Sequence, residues 1–146
     1  MREIRRILIP TDGSEYSREA VEVGLALAQQ LGAQVTALYV VDQTTFANFQ
    51  PDSAIITVYS MLEKEGRAAV DEVRRRGEEL GVKVEVQLVE GSPTRRIVEL
   101  ASNFDLIVMG TLGRSGVAKL VLGSVAERVV RFAPCPVLVA RSPQGR

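Results

Sequence analysis

Short apolar runs alternate with longer amphipathic stretches along this chain, and few folds tolerate that rhythm. Residues 4–10, 35–41, 82–89, 105–109 and 136–140 are the apolar runs, rich in the isoleucine, leucine and valine that strands favour. The first, second, fourth and fifth are nearly continuous, the pattern of strands buried on both faces. In the third, Val82, Val84, Val86 and Leu88 alternate with Lys83, Glu85 and Gln87, which predicts a half-exposed edge strand.

The intervening stretches read as helices with recognisable ends. Residues 14–31 place Ala20, Val23, Leu27, Ala28 and Leu31 on one stripe, and Gly32 predicts a left-handed stop. A second helix starts after Asp52 and carries Tyr59, Leu62, Gly66, Val70, Val73, Gly77 and Leu80 at three-and-four spacing before Gly81. Ser92 predicts the N-cap of a third, with Pro93 in its first turn, where a missing N–H is harmless. Ser124 and Glu127 have the spacing of a capping box that opens a fourth helix through Val129, Val130 and Phe132, ended by Pro134. Strands that alternate with helices are expected to lie parallel, joined by right-handed crossovers and covered on both faces, an α/β architecture. A hydrophobic content of 46% with 25% charged residues fits one globular domain over residues 1–146. Residues 42–52 form the one long polar connection, expected as a flap over the sheet edge.

In such a sheet, ligands bind beyond the carboxyl ends of the strands, where strand order reverses. If the first and fourth strands are neighbours there, their trailing loops meet: P-T-D-G-S over residues 10–14 and G-T-L-G-R-S-G over residues 110–116. The second loop belongs to a longer stretch with glycines at 110, 113, 116 and 123. Glycine lets main-chain N–H groups converge without Cβ atoms between them. The helix opening at Ser124 adds unsatisfied N–H groups and the positive end of its dipole. With the Ser124 hydroxyl, Arg114 and Lys119, these are the parts of a phosphate site. Asp12 would repel phosphate, so its carboxylate suits ribose hydroxyls or a phosphate-bound magnesium ion; as D-G-S before a helix, it equally suits a plain Asx cap. The glycine spacing matches neither G-x-x-x-x-G-K-[ST] nor G-x-G-x-x-G. Two readings stay open on the residues alone: an anion loop for a nucleotide, or glycines that merely shape a strand–helix connection.

Charge and composition narrow the chemistry. Lysine plus arginine and aspartate plus glutamate both number 18, so no global positive field draws in nucleic acid or an anionic membrane. The run Arg74-Arg75-Arg76 is surrounded by Glu72, Glu78 and Glu79 and reads as a solvated helix face. The absence of histidine excludes a Ser-His-Asp hydrolase, and a single cysteine leaves no structural zinc site. That residue, Cys135, reads as a small buried hydrophobe. The opening residues lack the apolar core of a signal peptide and no run reaches the length of a membrane span, so a cytoplasmic location is expected.

Gly110-x-x-Gly113, nine residues, then Gly123-Ser124 resembles the G-x2-G-x9-G-[ST] signature of the nucleotide-binding branch of the universal stress protein family. Residues 7–28 resemble the family's first strand and helix, residues 90–101 its third helix, and residues 135–141 its closing strand. The resemblance implies a doubly wound, Rossmann-like domain: a five-stranded parallel sheet of order 3-2-1-4-5 flanked by four helices. It implies binding of ATP or another adenine nucleotide, with Mg2+ accompanying the phosphates. Carried over, Pro10, Thr11 and Asp12 line the ribose, Val40 or Val41 meets adenine through its backbone, and Met109 and Gly110 lie beside the ribose. Gly113, Arg114, Gly123, Ser124 and Val125 then surround the phosphates. A homodimer through the final strand, Pro136 to Arg141, is also implied, as is a regulatory role in the stress response in which nucleotide adjusts the dimer or a surface for an unknown protein partner. No nucleophile–base pair is present, so slow ATP hydrolysis through metal and positioning is the most expected of it as an enzyme. The related adenylating pyrophosphatases carry paired glycines after a serine, which P-T-D-G-S-E-Y-S lacks. The other alternative is an interaction protein independent of nucleotide, against which stands the intact glycine motif.

Overall fold

The computed structural model describes residues 3–42, 52–111 and 122–141. Within them the chain runs β1 (Arg6–Pro10), α1 (Glu15–Leu31), β2 (Gln34–Asp42), α2 (Ser53–Glu79), β3 (Val84–Gly91), α3 (Pro93–Ala101), β4 (Leu106–Gly110), α4 (Ser124–Phe132) and β5 (Val137–Ala140). Every strand pairing is parallel and the sheet order is β3-β2-β1-β4-β5, as the family resemblance implies. The expected flap over residues 42–52 lies almost wholly outside the described residues.

Side chains alternate across the sheet and build two apolar layers. Ile7, Ile9, Val35, Ala37, Tyr39, Val41 and Val108 face α1 and α2, and Leu8, Leu38, Ile107 and Met109 face α3 and α4. The α2 stripe is as expected: Gly66, Val70, Val73 and Gly77 are buried, with Tyr59, Leu62 and Leu80 packed beside them. On α1 the buried line is Ser17, Ala20, Val21, Gly24, Leu25 and Ala28; of the expected stripe, Ala20 and Ala28 are buried and Val23 and Leu27 pack beside them. Leu31, in the last turn, is exposed. Small residues form that line because the helix lies close to the strands: a Cβ on Gly24 would sit 2.4 Å from Ile9 Cδ1.

Gly32 (φ 66°) stops α1 in the left-handed region, its N–H donating to the Ala28 carbonyl. Gly81 (φ 72°) turns the chain after α2. Asp52 caps α2, its Oδ1 accepting from the Ile55 N–H at 2.9 Å. The capping box expected at Ser124 does not form. Gly123 is the N-cap, Ser124 is already helical, and Glu127 turns its carboxylate to Arg131 instead. Ser92 stands at the N-cap of α3, but its hydroxyl makes no capping bond. The arginine run behaves as a solvated face, Arg74 pairing with Asp71 and Arg75 with Glu72. Arg76 clamps Glu22 of α1 and also bonds Glu79, holding that carboxyl below its ordinary range.

β3 is an edge strand, as its alternation predicts. β5 is the other edge, which overturns its reading as a strand buried on both faces: Val137, Leu138 and Val139 are each only half-buried.

Candidate functional site

The chain winds from β1 outward through β2 to β3, and from β4 outward to β5, so strand order reverses between β1 and β4. Main-chain groups of successive residues point to opposite sides of a strand, and one hydrogen bond fixes the phase. The Asp105 N–H donates to the Arg6 carbonyl at 2.9 Å, so Arg6, Leu8 and Pro10 turn their main chain toward β4. Pro10 has no N–H to carry that ladder on. Pairing of β1 with β4 accordingly covers Ile7↔Leu106 and Leu8↔Ile107. Meanwhile β1 stays with β2 to Pro10↔Leu38, and β4 stays with β5 to Gly110↔Ala140. The sheet thus parts between β1 and β4 at its carboxyl edge.

The same phase argument identifies what faces the crevice. The Ile107 N–H donates to the Pro136 carbonyl, so Met109 points its main chain at β5 while Gly110 points its own at β1. Met109 is buried in the α3–α4 layer and backs Gly110. The Val35 N–H donates to Lys83 of the β3 side, and the Thr11 N–H to Leu38. Val41 therefore faces β3, and Val40 presents its amide and carbonyl just beyond the end of β1. Of the two valines, Val40 is the one whose main chain turns to the crevice side.

The turn after β1 is bound together by its own side chains. Asp12 Oδ1 accepts from both the Ser14 N–H (2.9 Å) and the Ser14 hydroxyl (2.5 Å). Ser17 Oγ donates to the Ser14 carbonyl at 2.9 Å, so Thr11 is the donor in its 3.0 Å bond to Ser17. Thr11 Oγ1 also accepts from the Gly13 N–H. Thr11 is 9% exposed, and its hydroxyl and N–H both help to hold the turn. Gly13 adopts φ 79°, with Ala69 of α2 at 3.4 Å from where its Cβ would stand. The Asx-turn reading of Asp12 is therefore present in the geometry. An Asx turn and ligand binding are compatible, since a carboxylate offers about four lone-pair sites.

Across the crevice, Thr111 closes the base of the glycine-rich segment. Its N–H donates to Ala140 of β5 (3.2 Å) and its carbonyl accepts from the Gly123 N–H at 2.7 Å. Gly123 thus spends its amide on the connection. The first intrahelical bond of α4 runs from the Glu127 N–H to the Gly123 carbonyl, so the amides of Ser124, Val125 and Ala126 precede the helical ladder. They stand at the positive end of α4 beside the carboxyl end of β4. Ser124 is exposed and Val125 half-buried. Gly113, Arg114 and Lys119 lie outside the described residues.

Sequence reasoning missed Ser14, Ser17, Thr111 and Ala126. Ser14 and Ser17 resemble any serines at a helix start, and Thr111 acts through its main chain, which leaves no trace in residue type. Among the described residues no three histidine, cysteine, aspartate or glutamate side chains gather as a metal site. Among the same residues, no helix is long and apolar enough to cross a membrane.

A family model for universal stress proteins matches residues 3–141. A universal stress protein of Methanocaldococcus jannaschii is 42% identical over 142 residues, spanning 96% of this chain and 84% of that protein. The solved structure of UspA from Lactobacillus plantarum superposes with a TM-score of 0.79 at 30% identity, covering 97% of this chain and all of that one (100%). A universal stress protein solved in complex with cAMP aligns at a TM-score of 0.69 and 26% identity, over 97% of this chain and 99% of that one.

Proposed function

The chain belongs to the universal stress protein family, and we propose that it binds an adenine nucleotide, ATP foremost, across the parted ends of β1 and β4. One observation carries the reading: the crevice that Pro10 opens is faced on one side by the Asp12 turn and on the other by the amino end of α4. A polyanion and a sugar need those two things at once. That a solved relative holds cAMP supports a nucleotide in this fold.

Adenine lies beyond the end of β1 and exchanges hydrogen bonds with the Val40 backbone. The ribose sits over Pro10 and Gly110 and donates a hydroxyl to Asp12. The phosphates enter the glycine-rich segment, where Gly113 and Arg114 join the first-turn amides at Ser124 and Val125, and Mg2+ accompanies them. The nucleotide state adjusts a homodimer joined through Pro136 to Arg141, or a surface for a protein partner, in a stress response in the cytoplasm. At most slow hydrolysis, through metal and positioning, accompanies binding.

The test is a calorimetric titration with ATP and with cAMP, on the wild type, Asp12→Ala and Gly113→Val, after chromatography of the nucleotide released on denaturing the purified protein. ATP affinity in the micromolar range that falls at least tenfold in both variants is expected. Equal affinity across the three would remove this crevice from the site, and no binding of either nucleotide would end the proposal.

A further inference from the structure

Ser14 stands at the N-cap of α1, where a serine hydroxyl ordinarily accepts from an amide of the first turn. Here it makes no such bond. Its oxygen turns back and donates its one proton to Asp12 Oδ1 at 2.5 Å, while its amide donates to the same oxygen at 2.9 Å. Helix capping therefore does not account for a serine at this position; the Asp12 carboxylate does. Ser14 is itself fixed from behind, because buried Ser17 donates to its carbonyl and Thr11 donates to Ser17.

Resting on the nucleotide reading above, we propose that Ser14 is a positioning residue for recognition of the ribose hydroxyls. Two donors converging on one oxygen fix the plane of the carboxylate. Asp12 then meets the sugar as an already oriented acceptor and loses little rotamer freedom on binding. The ligand feature read through Ser14 is thus a vicinal diol, and a nucleotide without that diol gains nothing from it.

The experiment compares ATP with 2′,3′-dideoxyATP by calorimetry for the wild type, Ser14→Ala, Ser14→Gly, Ser14→Thr and Asp12→Asn. Glycine is tolerated at an N-cap, so Ser14→Gly retains a folded protein even where alanine does not. The wild type is expected to prefer ATP by about tenfold or more, the worth of one charge-assisted hydrogen bond. Ser14→Ala and Ser14→Gly should weaken ATP about three- to tenfold and leave dideoxyATP unchanged, with Ser14→Thr restoring the preference. Discrimination lost in Asp12→Asn but intact in Ser14→Ala and Ser14→Gly would overturn the role of Ser14 and spare the nucleotide reading. So would equal weakening of both nucleotides, the mark of a merely structural serine. A wild type that binds neither nucleotide, or an Asp12→Asn variant that keeps the preference for ATP, would overturn the assignment of Asp12 to the ribose and the proposal with it.

Discussion

The hydroxyl of Ser124 makes no capping bond, although the residue heads α4 beside the crevice. The cap belongs to Gly123, so alanine at position 124 removes no bond that holds the helix. Ser124→Ala is expected to keep the unfolding free energy within about 0.5 kcal/mol of wild type, as surface changes without a structural bond do. It should weaken ATP binding about three- to tenfold if the hydroxyl meets phosphate as proposed. Denaturant titration and calorimetry read the two effects separately, and a stability loss of about 1 kcal/mol or more would restore the capping box. At this scale, legibility follows how local the cause is. Gly32 and Gly81 were readable as helix stops because left-handed backbone is a property of the residue itself, and both adopt it. Ser14 was not, since its hydroxyl chooses between an amide ahead and a carboxylate behind, and either choice leaves the same letters. Gly123 was expected as a phosphate ligand because of its missing side chain. Its amide bonds Thr111, a residue distant in sequence that no local pattern identifies.

Each helix rests on the sheet at a height set by its smallest residues. On α2, Gly66 lies over the Tyr39 ring so closely that a Cβ would stand 2.4 Å from Cδ1 and 2.7 Å from Cε1. Tyr39 is 5% exposed, held between β1 and β3 in the middle of the α1–α2 layer, so the ring has little room to yield. Gly66→Ala gains about 1 kcal/mol of helix propensity but overpacks a dense core, at about 1–3 kcal/mol. The helix would have to rise from the strand along its length, which favours the upper figure. We therefore expect a net loss of about 1–2 kcal/mol in urea unfolding. A stabilised Gly66→Ala would show that α2 does not press on Tyr39. The α2 stripe was legible because large apolar residues recur along it at helical spacing. The α1 line was less so. Its contact surface is built from serine, alanine and glycine, and hydrophobicity drew attention to Leu31, which lies on the next turn and is exposed.

The molecule has two sheet edges, and they differ in kind. β3 carries Glu85, Gln87 and Glu90 as exposed side chains, a charged border that discourages pairing with another chain. β5 is apolar along its whole length, yet Val137, Leu138 and Val139 are only half-buried, and the neighbouring α4 leaves Val130 47% and Phe132 60% exposed. Continuous apolarity on an edge strand fits the proposed cover by a second copy related by a two-fold axis. The Ile107 N–H donates to Pro136 and the Thr111 N–H to Ala140, so Pro136, Leu138 and Ala140 turn their main chain inward to β4. Val137 and Val139 turn theirs outward, and those are the groups a partner strand would bond. Val139→Pro deletes an outward N–H without removing a bond to β4, a substitution that sheet edges tolerate. Light scattering behind size exclusion at about 50 μM, well above the concentrations at which an interface of ordinary size dissociates, should give a dimer for the wild type. It should give a folded monomer for Val139→Pro and for Phe132→Glu. If the wild type runs as a monomer at that concentration, the apolar edge has another occupant. If Phe132→Glu dissociates the dimer while Val139→Pro does not, the two copies meet through their helices, with their sheets left unjoined.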